Sequence, residues 1–184
     1  KEPVTESTKK AARCFYALAQ ARADKKRYPA VDPVDSYSKY LEYPEIVEYL
    51  QNRVDKDWVN KVNRAKTIIR RGKEVYEQIN ILGDDGVPIS YHEMYWKSEL
   101  IDFVILQQDA FDPIDSVTPM DRQEFMLSLV LNICDKSFTF ETFEDCSAKF
   151  KEIINIMRQM NYSEFKSEQF NKYFEQVNKI LSDE

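Results

Sequence analysis

From Trp58 onward the apolar and small positions recur every three or four residues: Trp58, Val62, Ala65, Ile69, Gly72, Tyr76, Ile79 and Leu82 form one stripe, and charged or amide side chains fill most of the rest. A helix needs this period to keep one face dry, so the pattern predicts an amphipathic helix over 57–82. Gly83-Asp84-Asp85-Gly86-Val87-Pro88 ends it, and Ser90-x-x-Glu93 has the form of a capping box that opens a second helix reaching about residue 108. Two helices joined by so short a turn form a long antiparallel hairpin. Upstream, Ala11, Cys14, Phe15, Leu18 and Ala21 or Arg22 keep helical spacing and predict a helix over 5–23 ahead of the basic Lys25-Lys26-Arg27. Residues 36–49 predict one or two short helices interrupted at Pro44, with Tyr37, Tyr40, Tyr43 and Tyr49 packed as an aromatic core. Thr118-Pro119-Met120-Asp121 reads as an N-cap followed by Pro at the first helical position, opening an apolar helix through Cys134. Two more helices follow over 142–160 and 163–181, the last with Phe170, Tyr173, Phe174, Val177 and Leu181 on one side.

Only three glycines occur, and no alternating run bounded by turns argues for strands, so the fold class is all-α: a helical bundle built around the hairpin. With 184 residues and 43% hydrophobic positions, residues 1–184 are expected to form a single helical domain with a core of its own. The excess of 32 acidic over 26 basic residues, a net charge of −6, disfavours nucleic acid or an anionic membrane as primary partner. No apolar run approaches the ~18 residues of a membrane span, so no direct membrane insertion is expected. Cys14, Cys134 and Cys146 are odd in number and widely spaced, which fits free thiols in a reducing cytosol. Lys1 reads as a cut point.

Two rigid bends punctuate the helices. Ala30-Val31-Asp32-Pro33-Val34-Asp35-Ser36 is echoed by Ala110-Phe111-Asp112-Pro113-Ile114-Asp115-Ser116. Each Pro fixes its own φ and pushes the preceding Asp toward extended backbone, while the second Asp and the Ser can cap the next helix. Similar turn chemistry explains the echo more readily than a duplication. The pairs Asp32/Asp35 and Asp112/Asp115 carry the right donors for a cation, but turn-stabilising roles account for them, and no metal site is expected.

Catalytic chemistry is missing from the pattern. Turnover of a nucleoside triphosphate needs backbone amides and a Lys around the phosphates, with a hydroxyl and a carboxylate for magnesium, and no G-x-x-x-x-G-K-[ST] loop is present. There is no H-E-x-x-H, no Cys/His cluster and no nucleophile elbow; His92 near the hairpin turn is expected on the surface. No catalytic residue is therefore assigned.

Tyr28-Pro29-Ala30-Val31-Asp32-Pro33-Val34-Asp35-Ser36 resembles the Y-P-A-[VI]-D-P-x-D-S run of the catalytic subunits of rotary ATPases. Leu106-Gln107-Gln108-Asp109-Ala110-Phe111-Asp112-Pro113-Ile114-Asp115 is similar to the L-Q-Q-x-A-F-D-x-x-D of the V-type and archaeal A-type catalytic A subunit. Glu2-Pro3-Val4-Thr5, Arg27 and Ile81-Leu82-Gly83 extend the likeness, which runs from about residue 2 to 133. It implies the C-terminal helical domain of such a subunit, with the P-loop nucleotide-binding domain upstream and absent from this chain. Tyr28, Ala110 and Phe111 match the family's adenine pocket; Asp84, Asp85 and Val87 occupy its rotor-facing turn, with fewer acids than the F-type beta subunit carries there. The implied cofactor is ATP or ADP with Mg in the full subunit, with none expected to bind tightly to this fragment, which alone is expected to be inactive. Implied partners are the nucleotide-binding domain of the same subunit, the B subunits of the catalytic hexamer and the central stalk, in a cytoplasmic position within a membrane-associated complex that moves protons or sodium. The rival within the family is an F-type beta subunit or an export-apparatus ATPase; the rival outside it is a free-standing helical adaptor that binds a basic protein surface and never meets nucleotide.

Overall fold

The computed structural model describes residues 3–182; Lys1 and Glu2, on which the cut-point reading and the start of E-P-V-T fall, lie outside them. Helices dominate, and the chain divides into two compact units, Lys1–Lys66 and Thr67–Glu184.

In the first unit the expected helix over 5–23 is broken. Helix α1 (Pro3–Ala11) ends early, strand β1 (Cys14–Phe15) follows, and helix α2 (Gln20–Asp24) is a single short piece. Strand β1 pairs antiparallel with β2 (Tyr37–Ser38), with Cys14 opposite Ser38 and Phe15 opposite Tyr37, and a further bridge joins Leu18 to Val31. The cause is non-local. The Asp32 N–H donates to the Ala17 carbonyl at 2.7 Å, the Ala19 N–H to Ala30 at 2.9 Å and the Lys39 N–H to Arg13 at 2.9 Å. These bonds replace those of a helix, and Cys-Phe-Tyr suits extended backbone. Exposure then alternates, with Tyr16 and Leu18 outward and Phe15 and Ala17 half-covered.

A 3₁₀ turn at Tyr40–Glu42 leads into helix α3 (Pro44–Arg53), for which Pro44 is the first residue rather than an interruption, its fixed φ and missing N–H being harmless there. The tyrosines do not form a core: Tyr40 and Tyr49 are exposed, and Tyr37 is half-buried, stacked on Phe15 with centroids 5.9 Å apart. Among the described residues from Pro3 to Asp57 none is fully buried.

Helix α4 (Trp58–Leu82) follows the periodicity as far as Ile79, with Val75 buried as well, whereas Leu82, expected on the same stripe, is exposed; the division between the units falls within this helix, after Lys66. It stops at Gly83, whose φ of 80° favours glycine and whose N–H closes on the Ile79 carbonyl at 2.8 Å. After a 3₁₀ turn at Asp84–Gly86, helix α5 (Ile89–Ile101) returns antiparallel: Gly72 faces Ser98, and Tyr76 stacks on Tyr95 at 5.1 Å. A Cβ at Gly72 would lie 2.1 Å from Ser98 Cβ, so the two helices cross there nearly backbone to backbone. The Ser90-x-x-Glu93 capping box does not form, because Pro88 takes the N-cap position and Ser90 falls inside the first turn.

The rest of the second unit is the core. Helix α5 runs into a π-helical turn (Asp102–Leu106), then come α6 (Met120–Asp135), α7 (Phe143–Asn161) and α8 (Glu168–Ser182). Thr118 does not cap α6 with its side chain; its hydroxyl turns back to the Asp115 carbonyl. Thr142 does cap α7, accepting the Asp145 N–H at 3.1 Å. The last helix starts at Glu168 rather than 163, because residues 162–167 make a turn in which Lys166 has φ 63°. Leu100, Ile101, Val130, Ile133, Phe150, Ile153, Met157 and Phe170 are closed to solvent, each contributing about 1.5–3 kcal/mol of burial. Phe125 meets Phe165, Phe170 and Phe174 at 5.3–5.7 Å, sealing α6 against α8.

His92 is not on the surface. It is buried, its Nε2 lies 2.9 Å from the Asp84 carbonyl, and its ring stacks on Phe143 at 5.2 Å. The turn that precedes α5 folds over it, so this imidazole fastens the hairpin tip.

Candidate nucleotide-facing and rotor-facing segments

The segment 107–118 connects the π-helical turn to α6, and its own polar side chains hold it. The Asp109 N–H donates to Asp115 Oδ2 at 2.6 Å, and Gln108 Nε2 donates to the Asp115 carbonyl at 2.7 Å, closing the segment into a loop. Asp112 Oδ1 accepts the N–H groups of Ile114 and Asp115, at 2.9 and 2.8 Å. Asp109 Oδ1 accepts the Phe111 N–H at 2.9 Å. This Asx-turn chemistry needs a short side-chain oxygen two or three residues ahead of the donor. The result is a pinned loop with its apolar tip turned outward: Phe111 is 99% exposed, and Ala110 is exposed beside it.

The first bend uses the same bonds. Asp32 Oδ1 accepts from Val34 and Asp35 at 2.8 and 2.9 Å, and the Ser36 N–H donates to the Asp32 carbonyl at 3.1 Å, as the Ser116 N–H does to Asp112 at 3.0 Å. In both copies the first Asp is a turn former, and Ser36 also accepts the Ala17 N–H at 3.0 Å. Tyr28, four residues ahead of Asp32, is 55% exposed. It belongs to the first unit; Ala110 and Phe111 belong to the second. Neither Tyr28 nor Phe111 is packed between helices.

At the hairpin tip Asp84 and Asp85 are exposed and Val87 is half-buried. The apolar Ile81 and Leu82 beside them are 80% and 60% exposed, so the tip is an apolar knob with two acids.

Sequence reasoning missed what anchors the second loop. Arg122, in the first turn of α6, is 3% exposed, and its Nη2 donates to the Met160 carbonyl at 2.8 Å and to the Asn161 carbonyl at 2.6 Å. A cation thus sits at the negative end of α7. Asn161 Nδ2 in turn donates to the Val104 carbonyl at 2.8 Å, inside the π-helical turn. Burial pulls the Arg122 pKa down, against the opposing charges of Asp115 and Asp112. Burial also pushes the Asp115 carboxyl up, while the Asp109 N–H and Arg122 pull it down and Asp112 and Asp109 push it further up. Tyr162, whose hydroxyl lies 3.5 Å from Asp109 Oδ2, is raised by burial and then by Asp109 and Asp115, with Arg158 opposing. The partners are 38 and 39 residues apart, and no local pattern could have paired them.

The three cysteines are free; Cys134 and Cys146 are buried, and burial pushes the Cys146 thiol up to about 12. Among the described residues no group of three or more His, Cys, Asp or Glu side chains is placed to hold a metal ion, and no helix is long and apolar enough to cross a membrane.

Residues 48–140, which take in the hairpin and the Phe111 loop, match the family described as the C-terminal domain of V and A type ATP synthase. The chain is 37% identical over 180 residues to the V-type ATP synthase alpha chain of Chlamydia abortus, covering 98% of this chain and 30% of that one. It is 36% identical, with the same coverage, to the V-type ATP synthase alpha chains of Chlamydia pneumoniae and Protochlamydia amoebophila. The likeness thus continues well past residue 133, and the chain spans about 30% of the length of these relatives. Family match, helical architecture and both bend motifs agree: the chain belongs to the C-terminal domain family of the V- and A-type ATP synthases.

Proposed function

We propose that this chain is the C-terminal helical domain of the catalytic A subunit of a V/A-type ion-translocating ATP synthase or ATPase, and that it contributes apolar surface to adenine and carries nucleotide-driven movement to the central rotor stalk. The observation that carries the reading is Phe111, an aromatic ring displayed 99% exposed on a loop pinned by five hydrogen bonds of its own. A bare aromatic ring on a pinned backbone suits a stacking partner from outside, and base-on-aromatic contact is worth about 1–3 kcal/mol. Tyr28 on its own bend and Ala110 beside Phe111 are each assigned to the adenine. The phosphates and Mg belong to the P-loop domain of the same subunit; this chain supplies none of the phosphate chemistry, and alone it hydrolyses no ATP.

The partner assignments rest on the family resemblance, and exposed apolar surface supports them. In the first unit Tyr16, Leu18, Tyr28 and Tyr49 are all more than half exposed and none of the described residues ahead of Trp58 is fully buried, which suits a unit completed by the nucleotide-binding domain. At the other motif, Asp84, Asp85 and Val87 with Ile81 and Leu82 form the contact to the stalk. Helix α4, with 25 residues and a length of about 37 Å, is stiff enough to act as its lever. B subunits complete the hexamer, placing the domain in the cytoplasmic part of a membrane-associated complex. The test is Tyr28→Ala combined with Phe111→Ala in the full subunit: nucleotide affinity falls about 10-fold or more. Unchanged affinity in the double variant would sink the adenine assignment and leave the adaptor reading, in which the same exposed rings meet a protein.

A further inference from the structure

Three consecutive segments meet the distant end of α7: the π-helical turn through Val104, which accepts from Asn161, the Phe111 loop through Asp109, whose Oδ2 lies 3.5 Å from the Tyr162 hydroxyl, and the start of α6 through Arg122, which donates to Met160 and Asn161. All of these side chains lie in the second unit. Arg122 and Asp115 are almost wholly buried, and Arg122 also lies over the Phe170 ring, 6.0 Å from its centroid. A buried ion is a poor source of stability, because desolvation offsets most of what its partners return, and apolar residues of the same volume commonly serve as well. Apolar packing, however, supplies no direction. The guanidinium fixes the last carbonyls of α7, the Asn161 amide fixes the middle of the π-helical turn, and Asp115, which feels the Arg122 charge, closes the loop onto Asp109.

We propose that Arg122 is a positioning residue for base recognition: acting through Asn161 and Asp115, it sets the height and direction at which the 107–118 loop presents Phe111 to the adenine. This rests on the assignment of Phe111 to the adenine. It gives Arg122 no contact with nucleotide.

The experiment uses the full subunit in its assembled complex and titrates two probes, ATP and inorganic tripolyphosphate, which lacks the base. Arg122→Gln is expected to weaken ATP about 10-fold, as Phe111→Ala does, and to leave tripolyphosphate unchanged. Adding Arg122→Gln to Phe111→Ala produces no further loss, because both remove the same contact. Arg122→Lys, which keeps a positive charge at the end of α7 on a shorter side chain, recovers part of the affinity. If Phe111→Ala weakens ATP while Arg122→Gln does not, or weakens both probes alike, the positioning role is overturned and the adenine reading stands. If Phe111→Ala changes nothing, the adenine reading fails and this inference with it. Asp115→Ala carries the same expectation should Arg122→Gln not fold; if neither variant yields a folded subunit, the network is structural and the proposal is wrong.

Discussion

Replacing Gly72 by Ala sets two effects against each other at the crossing of α4 and α5. In an exposed helix the change stabilises by about 1 kcal/mol, because Ala restricts the unfolded chain and suits the helix. Here the added Cβ would lie 2.1 Å from Ser98 Cβ and 2.3 Å from Ser98 Oγ. Rotating the hydroxyl away removes the second clash but not the first, since a Cβ moves only with its backbone, so the helices must separate. Overpacking of this kind costs about 1–3 kcal/mol, and an overlap between two backbone-attached atoms belongs at the upper end. The net expectation is a loss of about 2 kcal/mol, a fall of roughly 4–8 °C in the melting temperature. Ser98→Gly supplies the control, because the nearest backbone atom to the new Cβ is then the residue 98 Cα at 3.6 Å, an ordinary contact. Thermal melts of the two single variants and the pair form a cycle in which the double variant is more stable than the sum of the singles by about 2–3 kcal/mol. A Gly72→Ala protein that melts at or above the parent, or a cycle without coupling, would refute the close crossing.

Thiol labelling of the folded chain at pH 8 should modify the half-exposed Cys14 and spare Cys134 and Cys146, the latter with its pKa pushed to about 12; rapid labelling of all three would show that the second unit is not closed. Because burial raises the Asp115 pKa, the folded chain holds its proton to higher pH than the unfolded chain, whose carboxyl titrates near 3.8. Stability from this group is therefore lost as pH rises from about 4 through the raised value. Asp115→Asn should accordingly gain on the parent across that window in urea melts, and a variant that loses ground to the parent as pH rises would reverse the sign. Deleting residues 83–87 in the assembled complex should reduce coupling between ATP turnover and rotation before it reduces nucleotide binding; full coupling after the deletion would remove the hairpin tip as a rotor contact.

The long hairpin was legible because its information is local: α4 writes its buried side as Ala65, Gly72, Val75 and Ile79, and Thr142 caps α7 within three residues of its partner. The Asp-Pro-x-Asp-Ser bends were legible as turns, since Asp32 and Asp112 bond N–H groups two and three residues on, but the expected helix capping by the second Asp and the Ser does not occur: Asp115 bonds back to the Asp109 N–H and Ser36 to the Ala17 N–H. Cys14 to Leu18 misled, because helical spacing and strand spacing are both satisfied by that short apolar run and the hydrogen bonds that decide come from residues 30–39. Arg122 and Asn161 misled by silence. Each looks like an ordinary polar residue of a helix end, and their partners lie 38–57 residues away. His92 combines the two, polar in type and next to a turn, yet covered by that turn.

The stretch from Pro3 to Asp57 has no fully buried side chain, while the second unit holds almost all of the closed core. In a core, neighbours of the same chain decide which substitutions are tolerated. Where no side chain is enclosed, most single changes alter the free energy of the isolated chain by no more than about half a kilocalorie. The identities of Tyr16, Leu18 and Tyr49 are thus nearly invisible to the folding of this chain, so a melting curve would pass over changes there that a binding assay with the proposed nucleotide-binding domain would register.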